Sequence, residues 1–123
     1  MTGADAVAVV QKMTDAWDVM DWDSFAEFWH PDGTFEFVSQ ISTNSLEETL
    51  AYERNNRVEA MHVVRDLWTG DENGRVWCRF AAQWPDEDTG LPRETTGATT
   101  ALVVDGRIAS VVLWIDVSFL LTV

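Results

Sequence analysis

The chain of 123 residues has one cysteine, Cys78, which excludes an intrachain disulfide and a cysteine-built metal site. Positive charge is scarce: 8 Lys and Arg stand against 21 Asp and Glu, a formal net charge of −13. That balance repels phosphate backbones and anionic lipid, so no nucleic-acid partner and no membrane partner is expected. A neutral or apolar ligand stays compatible, because a pocket can differ from the outer surface. No segment approaches the roughly 20 apolar residues of a membrane span. The start, MTGADAVAVVQK, lacks the basic region and apolar stretch of a signal peptide, so a cytoplasmic location is expected. There is no glycine-rich phosphate loop and no nucleophile elbow. Without linker, repeat or low-complexity stretch, residues 1–123 read as one domain.

Aromatic residues are what the chain has in quantity. A composition of 46% hydrophobic and 24% charged residues is that of a globular protein rather than a disordered one. The 7 Trp and 6 Phe are side chains that build cores, cavity walls and interfaces. Cys78 sits in the strand-like VWCRFAAQW and reads as a buried, inert thiol.

Residues 5–20 are apolar at Ala6, Val9, Val10, Met13, Ala16, Trp17 and Met20, the spacing of a helix with an acidic outer face. Asp21 and Asp23 break the pattern, and either can cap a short second helix carrying Phe25, Phe28 and Trp29 on one face. His30-Pro31-Asp32-Gly33 ends that helix. Thr34–Val38 alternates like a strand. Ser45 with Glu48 fits a capping box that opens a third helix to about Arg57, with Leu46 and Leu50 inward. Four long strand-like segments follow: Met61–Thr69, Arg75–Trp84, Arg93–Val104 and Arg107–Phe119, the last pair joined by the hairpin signal Asp105-Gly106. The expected fold is α+β, a curved antiparallel sheet with three N-terminal helices over its concave face.

The final segment, IASVVLWIDVSFLLTV from Ile108 to Val123, has Asp116 as its one charged residue. A buried carboxylate costs several kcal/mol unless paired, hydrogen-bonded or neutral. Asp116 therefore either points into a polar cavity or lies where its strand meets water. Alternation groups it with Val112, Trp114 and Ser118. The opposite face, Val111, Leu113, Ile115, Val117 and Phe119, has no helix left to cover it. A homodimer through the outer sheet face is expected. Phe35 and Phe37 share one face of the first strand. With Trp17, Trp29, Trp68 and Trp114 they either fill the core or wall a ligand pocket.

The layout resembles the nuclear transport factor 2-like superfamily, in its SnoaL-like and ketosteroid isomerase-like branch. The matching pieces are Trp22-Asp-Ser-Phe-Ala-Glu-Phe-Trp-His-Pro-Asp-Gly33, Met61-His-Val-Val-Arg-Asp66, and Gly106-Arg-Ile-Ala-Ser110 through Leu113-Trp-Ile-Asp-Val117. The resemblance implies a cone-shaped half-barrel with an apolar pocket at its mouth. It does not imply one reaction, because the fold hosts many. Dehydratase and dehydrochlorinase members place an aspartate at the end of the first helix and a histidine at the start of the first long strand. Asp21 and His62 stand at those positions. An aspartate after a tryptophan in the last strand is similar to the acid of SnoaL-type cyclases and limonene epoxide hydrolase, which is the place of Asp116. Other family sets are incomplete. The base of ketosteroid isomerases matches Phe37, their helix-1 tyrosine matches an apolar residue near Met13 or Ala16, and their second acid matches Thr100. The arginine–aspartate pair of the epoxide hydrolases matches Arg79 and Ala81.

His62, Val64, Asp66 and Trp68 fall on one face of their strand. If that face is concave, Asp21 can orient the His62 imidazole and make it a general base, with Asp116 protonating or stabilising a developing oxyanion. Alternatively Asp21 caps the second helix, His62 is a core histidine, and Asp116 pairs with Arg79. The expected ligand surface comprises Trp17, Trp29, Phe35, Phe37, Val64, Trp68 and Trp114. His62 and Asp66, four apart in a strand, do not make a metal site, and no metal or cofactor is expected. The function this implies is cofactor-independent acid–base chemistry, of lyase, isomerase or cyclase type, on a small, largely apolar organic molecule. The alternatives are a non-catalytic ligand-binding module and a dimerisation domain.

Overall fold

The computed structural model describes residues 1–115; Asp116 and the expectations placed on Val117, Ser118 and Phe119 lie outside the described residues. Helix α1 spans Gly3–Asp18. Its first turn is closed by a capping box in which Thr2 Oγ1 accepts from Asp5 N–H and Asp5 Oδ2 accepts from Thr2 N–H. Helix α2, Trp22–Glu27, is capped by Asp21, and α3, Leu46–Asn56, by Ser45. The strands are β1 (Trp29–Phe37), β2 (Ile41–Ser42), β3 (His62–Gly70), β4 (Arg75–Pro85), β5 (Pro92–Val104) and β6 (Arg107–Ile115).

The six strands form one sheet in the order β2-β1-β6-β5-β4-β3. β3 to β6 make the antiparallel meander that the sequence implies. β1, however, pairs parallel to β6, so the sheet is mixed rather than purely antiparallel. No hairpin joins these two strands; α3 and the whole meander separate them, and nothing forces antiparallel pairing. Helix α1 crosses the concave side and touches β3, β4, β5 and β6, while α3 rests on β1. Gly3 and Gly70 let the start of α1 lie backbone to backbone on the end of β3, since a Cβ on either would collide with the other's carbonyl. Ala6, Val10, Met13, Phe25, Trp29, Val76, Ile108 and Val111 are among the buried residues between these layers.

Three local expectations are corrected. His30-Pro31-Asp32-Gly33 does not end a helix. It forms an irregularity within β1, whose register shifts between Trp29 and Thr34. On β3, His62, Val64 and Asp66 are exposed on the outer face, while Val63 and Arg65 turn toward the concavity. A bulge between Asp66 and Thr69, with Leu67 at φ 55, then turns Trp68 back to the core. On β6, Val111 is buried, and Leu113 and Ile115 face the concave side, while Trp114 is 49% exposed. The assignment of Val111, Leu113 and Ile115 to the outer face is therefore inverted, because a one-residue shift in a period-two pattern exchanges the faces.

Candidate functional site

A cavity of about 450 Å³ lies between α1, α3 and the concave side of the sheet. Its wall is largely aromatic and aliphatic, with Met13, Phe25, Trp29, Phe35, Phe80 and Leu113 among its members. This is the size and character of a small-molecule site. The open concavity follows from the fold: α1 covers one part of the sheet and α3 another, and the space between them is roofed by neither.

Glu53 is the only carboxylate among the described residues of this wall. It belongs to α3 and is 8% exposed. Its Oε2 accepts the indole N–H of Trp17 at 2.7 Å, a contact between α3 and α1. Oε1 receives no hydrogen bond from the described residues. Burial pushes the Glu53 carboxyl above its ordinary range; the Trp17 bond and the positive charge of Arg57 act in the opposite direction but do not cancel it. A carboxyl so raised has both of its protonation states closer to reach near neutral pH than a surface glutamate.

Two guanidinium groups stand beside it. Arg57, the C-cap residue of α3, holds its Cζ 4.1 Å from the Trp17 ring centroid, and Arg65 of β3 lies at 5.6 Å. Arg65 is paired with Asp18, whose two oxygens each sit 2.9 Å from Nη1. Arg57 donates to the backbone oxygens of Val58, Asp18 and Met61. Burial lowers Arg57 from its ordinary value, against the opposing pull of Asp18 and Glu53. The hydroxyl of Tyr52 is raised by burial and by the charge of Glu53; its ring stacks on Phe35 at 5.8 Å.

The structure does not assemble the pair expected from the sequence. Asp21 is exposed and caps α2, with Oδ1 accepting from Ser24 N–H and Oδ2 from Ser24 Oγ. Those two bonds hold its carboxyl below the ordinary range. His62 stands on the outer face and shares no hydrogen bond with Asp21 among the described residues. Arg79 pairs with Asp66 at 2.6 Å; its expected pairing with Asp116 lies outside the described residues. Of the expected ligand surface, Trp17, Trp29, Phe35 and Phe37 line the cavity. Val64 and Trp114 are exposed on the outer face, and Trp68 packs against the core without reaching the cavity wall. Glu53, Arg57 and Arg65 were not anticipated. A signal for two of them exists: Leu46, Leu50, Glu53 and Arg57 recur at i, i+4, i+7 and i+11, so the stripe that carries the inward leucines of α3 also carries these charges.

No family model matches the chain, and no curated protein matches it in sequence. Solved structures do match. A protein of Jannaschia sp. CCS1, provisionally assigned as a SnoaL-like polyketide cyclase, superposes with a TM-score of 0.84 at 16% identity, over 98% of this chain and 92% of its own. A provisionally assigned polyketide cyclase of Xanthomonas campestris pv. campestris gives 0.81 at 16% identity, over 99% and 98%. An LEH-like epoxide hydrolase of M. tuberculosis gives 0.81 at 17% identity, over 98% and 89%. No helix among the described residues is long and apolar enough to cross a membrane. The chain thus shares the α+β cone fold of these structures, the fold of nuclear transport factor 2-like proteins.

Proposed function

We propose that this protein is a cofactor-independent acid–base enzyme acting on a small, largely apolar organic molecule held in the 450 Å³ cavity. The observation that supports it best is the buried Glu53 carboxyl, set in an apolar wall with one oxygen fixed by Trp17. In its ionised form Glu53 takes a proton from the bound molecule onto Oε1, while the Trp17 N–H holds Oε2 in place. The protonated carboxyl then returns the proton at another atom. Arg57 and Arg65 supply positive charge for any oxyanion that develops meanwhile. Lyase, isomerase and cyclase reactions all use such a proton cycle, and the matched structures carry names from more than one reaction type. The test is Glu53→Gln, assayed on a substrate identified by screening carbonyl, epoxide and hydroxyl compounds. The expected loss is about 10²-fold or more in kcat; turnover close to that of the unaltered enzyme would refute the role.

A second reading is ligand binding without turnover. One observation favours it: among the described residues the wall offers a single carboxylate, with Tyr52 as the other proton-bearing side chain beside it. A ligand bound unchanged over long incubation would select it.

We further propose a homodimer through the outer sheet face. Val64, Trp77 and Trp114 are exposed there, beside a depression of about 440 Å³ lined by Trp77, Thr100 and Val112. Sedimentation at micromolar concentration should give twice the chain mass. A monodisperse monomer would contradict the proposal.

A further inference from the structure

Asp18 stands in an unfavourable place for its own helix. It is the last residue of α1, whose final turn carries no basic residue, and a carboxylate there opposes the helix dipole. The compensation comes from outside the helix. Arg65 of β3 sets Nη1 2.9 Å from both Asp18 carboxylate oxygens. Arg57, at the end of α3, donates from Nη2 to the Asp18 carbonyl at 3.2 Å. The Arg65 side chain is 13% exposed, so water screens this pair less than one on the open surface.

The same two guanidinium groups lie by the ring of Trp17, the neighbour of Asp18 in sequence, with Cζ 4.1 Å and 5.6 Å from its centroid. A cation near the face of an indole is attracted to the ring. A ring held in this way has less freedom to swing off its hydrogen-bond partner. That partner is Glu53, whose Oε2 lies 2.7 Å from Trp17 Nε1. The contacts therefore run from Asp18 through Arg65 and Trp17 to Glu53, and join α1, β3 and α3.

Arg57 also acts on Glu53 directly, through its charge. Asp18 and Arg65 bond to each other, and the carboxylate oxygen that Trp17 holds is not theirs to reach. Their influence on Glu53 passes through the indole.

We propose that Asp18 and Arg65 are positioning residues for Glu53: their ion pair holds the Arg65 guanidinium against Trp17, and the ring so held keeps its N–H on Oε2. This rests on Glu53 being the proton carrier of the cavity, as proposed above.

The test is the titration of Glu53 in the full chain, followed by NMR of its carboxyl carbon, in Asp18→Asn. The charged and titratable side chains around the Trp17–Glu53 bond are Arg57 and Tyr52 on α3, Arg65 on β3 and Asp18 on α1. Charge and positioning predict opposite signs for this variant. Loss of a nearby negative charge favours ionised Glu53 and moves its midpoint down. Loosening of Trp17 weakens a bond that favours the ionised form and moves the midpoint up. The expected result is a rise. A midpoint that falls or stays in place overturns the proposal; an ion pair that is merely structural changes stability and leaves the midpoint alone.

Arg65→Gln gives a second reading, taken as a cycle with Trp17→Phe. It should raise the midpoint while Trp17 is present and add nothing in the Trp17→Phe protein. An equal rise in both proteins would mean that the Arg65 charge acts on Glu53 directly, and would also overturn the proposal. No substrate enters either measurement. The proposal can thus fail while Glu53→Gln still abolishes turnover, or hold while Glu53 proves non-catalytic.

Discussion

Trp17 of α1 and Glu53 of α3 are 36 residues apart in sequence and are joined by a 2.7 Å hydrogen bond at the wall of the cavity. The bond links the two helices that flank the opening. It also holds the one carboxylate of the described wall in a fixed orientation. The remainder of the account depends on what burial does to that carboxyl.

Stability should respond to Glu53 with a defined sign. Its folded value is raised above the unfolded one, so its favourable contribution is full below the unfolded value and is lost as pH rises through the folded value. Glu53→Gln keeps an oxygen for Trp17 and removes the cost of a buried charge. The variant should be no less stable than the parent at neutral pH, and its relative advantage should shrink on acidification. Urea denaturation at a series of pH values checks this. A variant whose disadvantage grows with pH would show that the ionised carboxylate is stabilising.

Trp17→Phe keeps most of the ring and removes the donor. Glu53 Oε2 is then left buried without a partner, and stability should fall by about 1–2 kcal/mol. The Glu53 carboxyl should move further upward, because the Trp17 bond is the largest influence that lowers it. Denaturant unfolding with a side-chain NMR titration reads both effects.

Asp21→Ala and His62→Ala separate the two helix-and-strand roles that the sequence suggested. Asp21→Ala removes the α2 cap and should lower stability, an effect that fades as pH falls through the lowered Asp21 value. His62→Ala should leave stability within about 0.5 kcal/mol, as expected of an exposed side chain. Neither should reduce turnover or ligand affinity. A large loss of turnover in His62→Ala, with folding intact, would restore His62 to the site.

Much of the fold was legible because its signals are local. Ser45 caps α3, Asp105-Gly106 turns the last hairpin, and the apolar spacing from Ala6 to Trp17 defines α1. The parallel pairing of β1 with β6 was not legible, since no local signal fixes the direction of strands so distant in sequence. The site was harder still. Alternation on β3 gave the correct grouping of His62, Val64 and Asp66, but sequence alone does not say which group faces inward. The bulge at Leu67 then placed Trp68 on the opposite side from them. Glu53 and Arg57 were passed over because charges on a surface helix ordinarily face water; only their register with Leu46 and Leu50 separates them from Glu47, Glu48 and Arg54.

The same bulge makes a backbone prediction. Leu67 is 55% exposed and sits at φ 55, a left-handed conformation disfavoured for leucine. Leu67→Gly gives up little burial and relieves that cost, less the entropy of glycine, for a net gain of about 0.5–1 kcal/mol. Thermal unfolding measures it, and a net loss would show that the leucine side chain stabilises the bulge through contacts.

The most direct measurement is the titration of Glu53 itself, followed through its side-chain carboxyl carbon by NMR in the unaltered protein. The account predicts a midpoint clearly above that of an ordinary glutamate, moving upward again in Trp17→Phe. A midpoint at or below the ordinary value would mean that the carboxyl is solvated or firmly ion-paired, and Glu53 would lose its claim to the proton chemistry of the cavity.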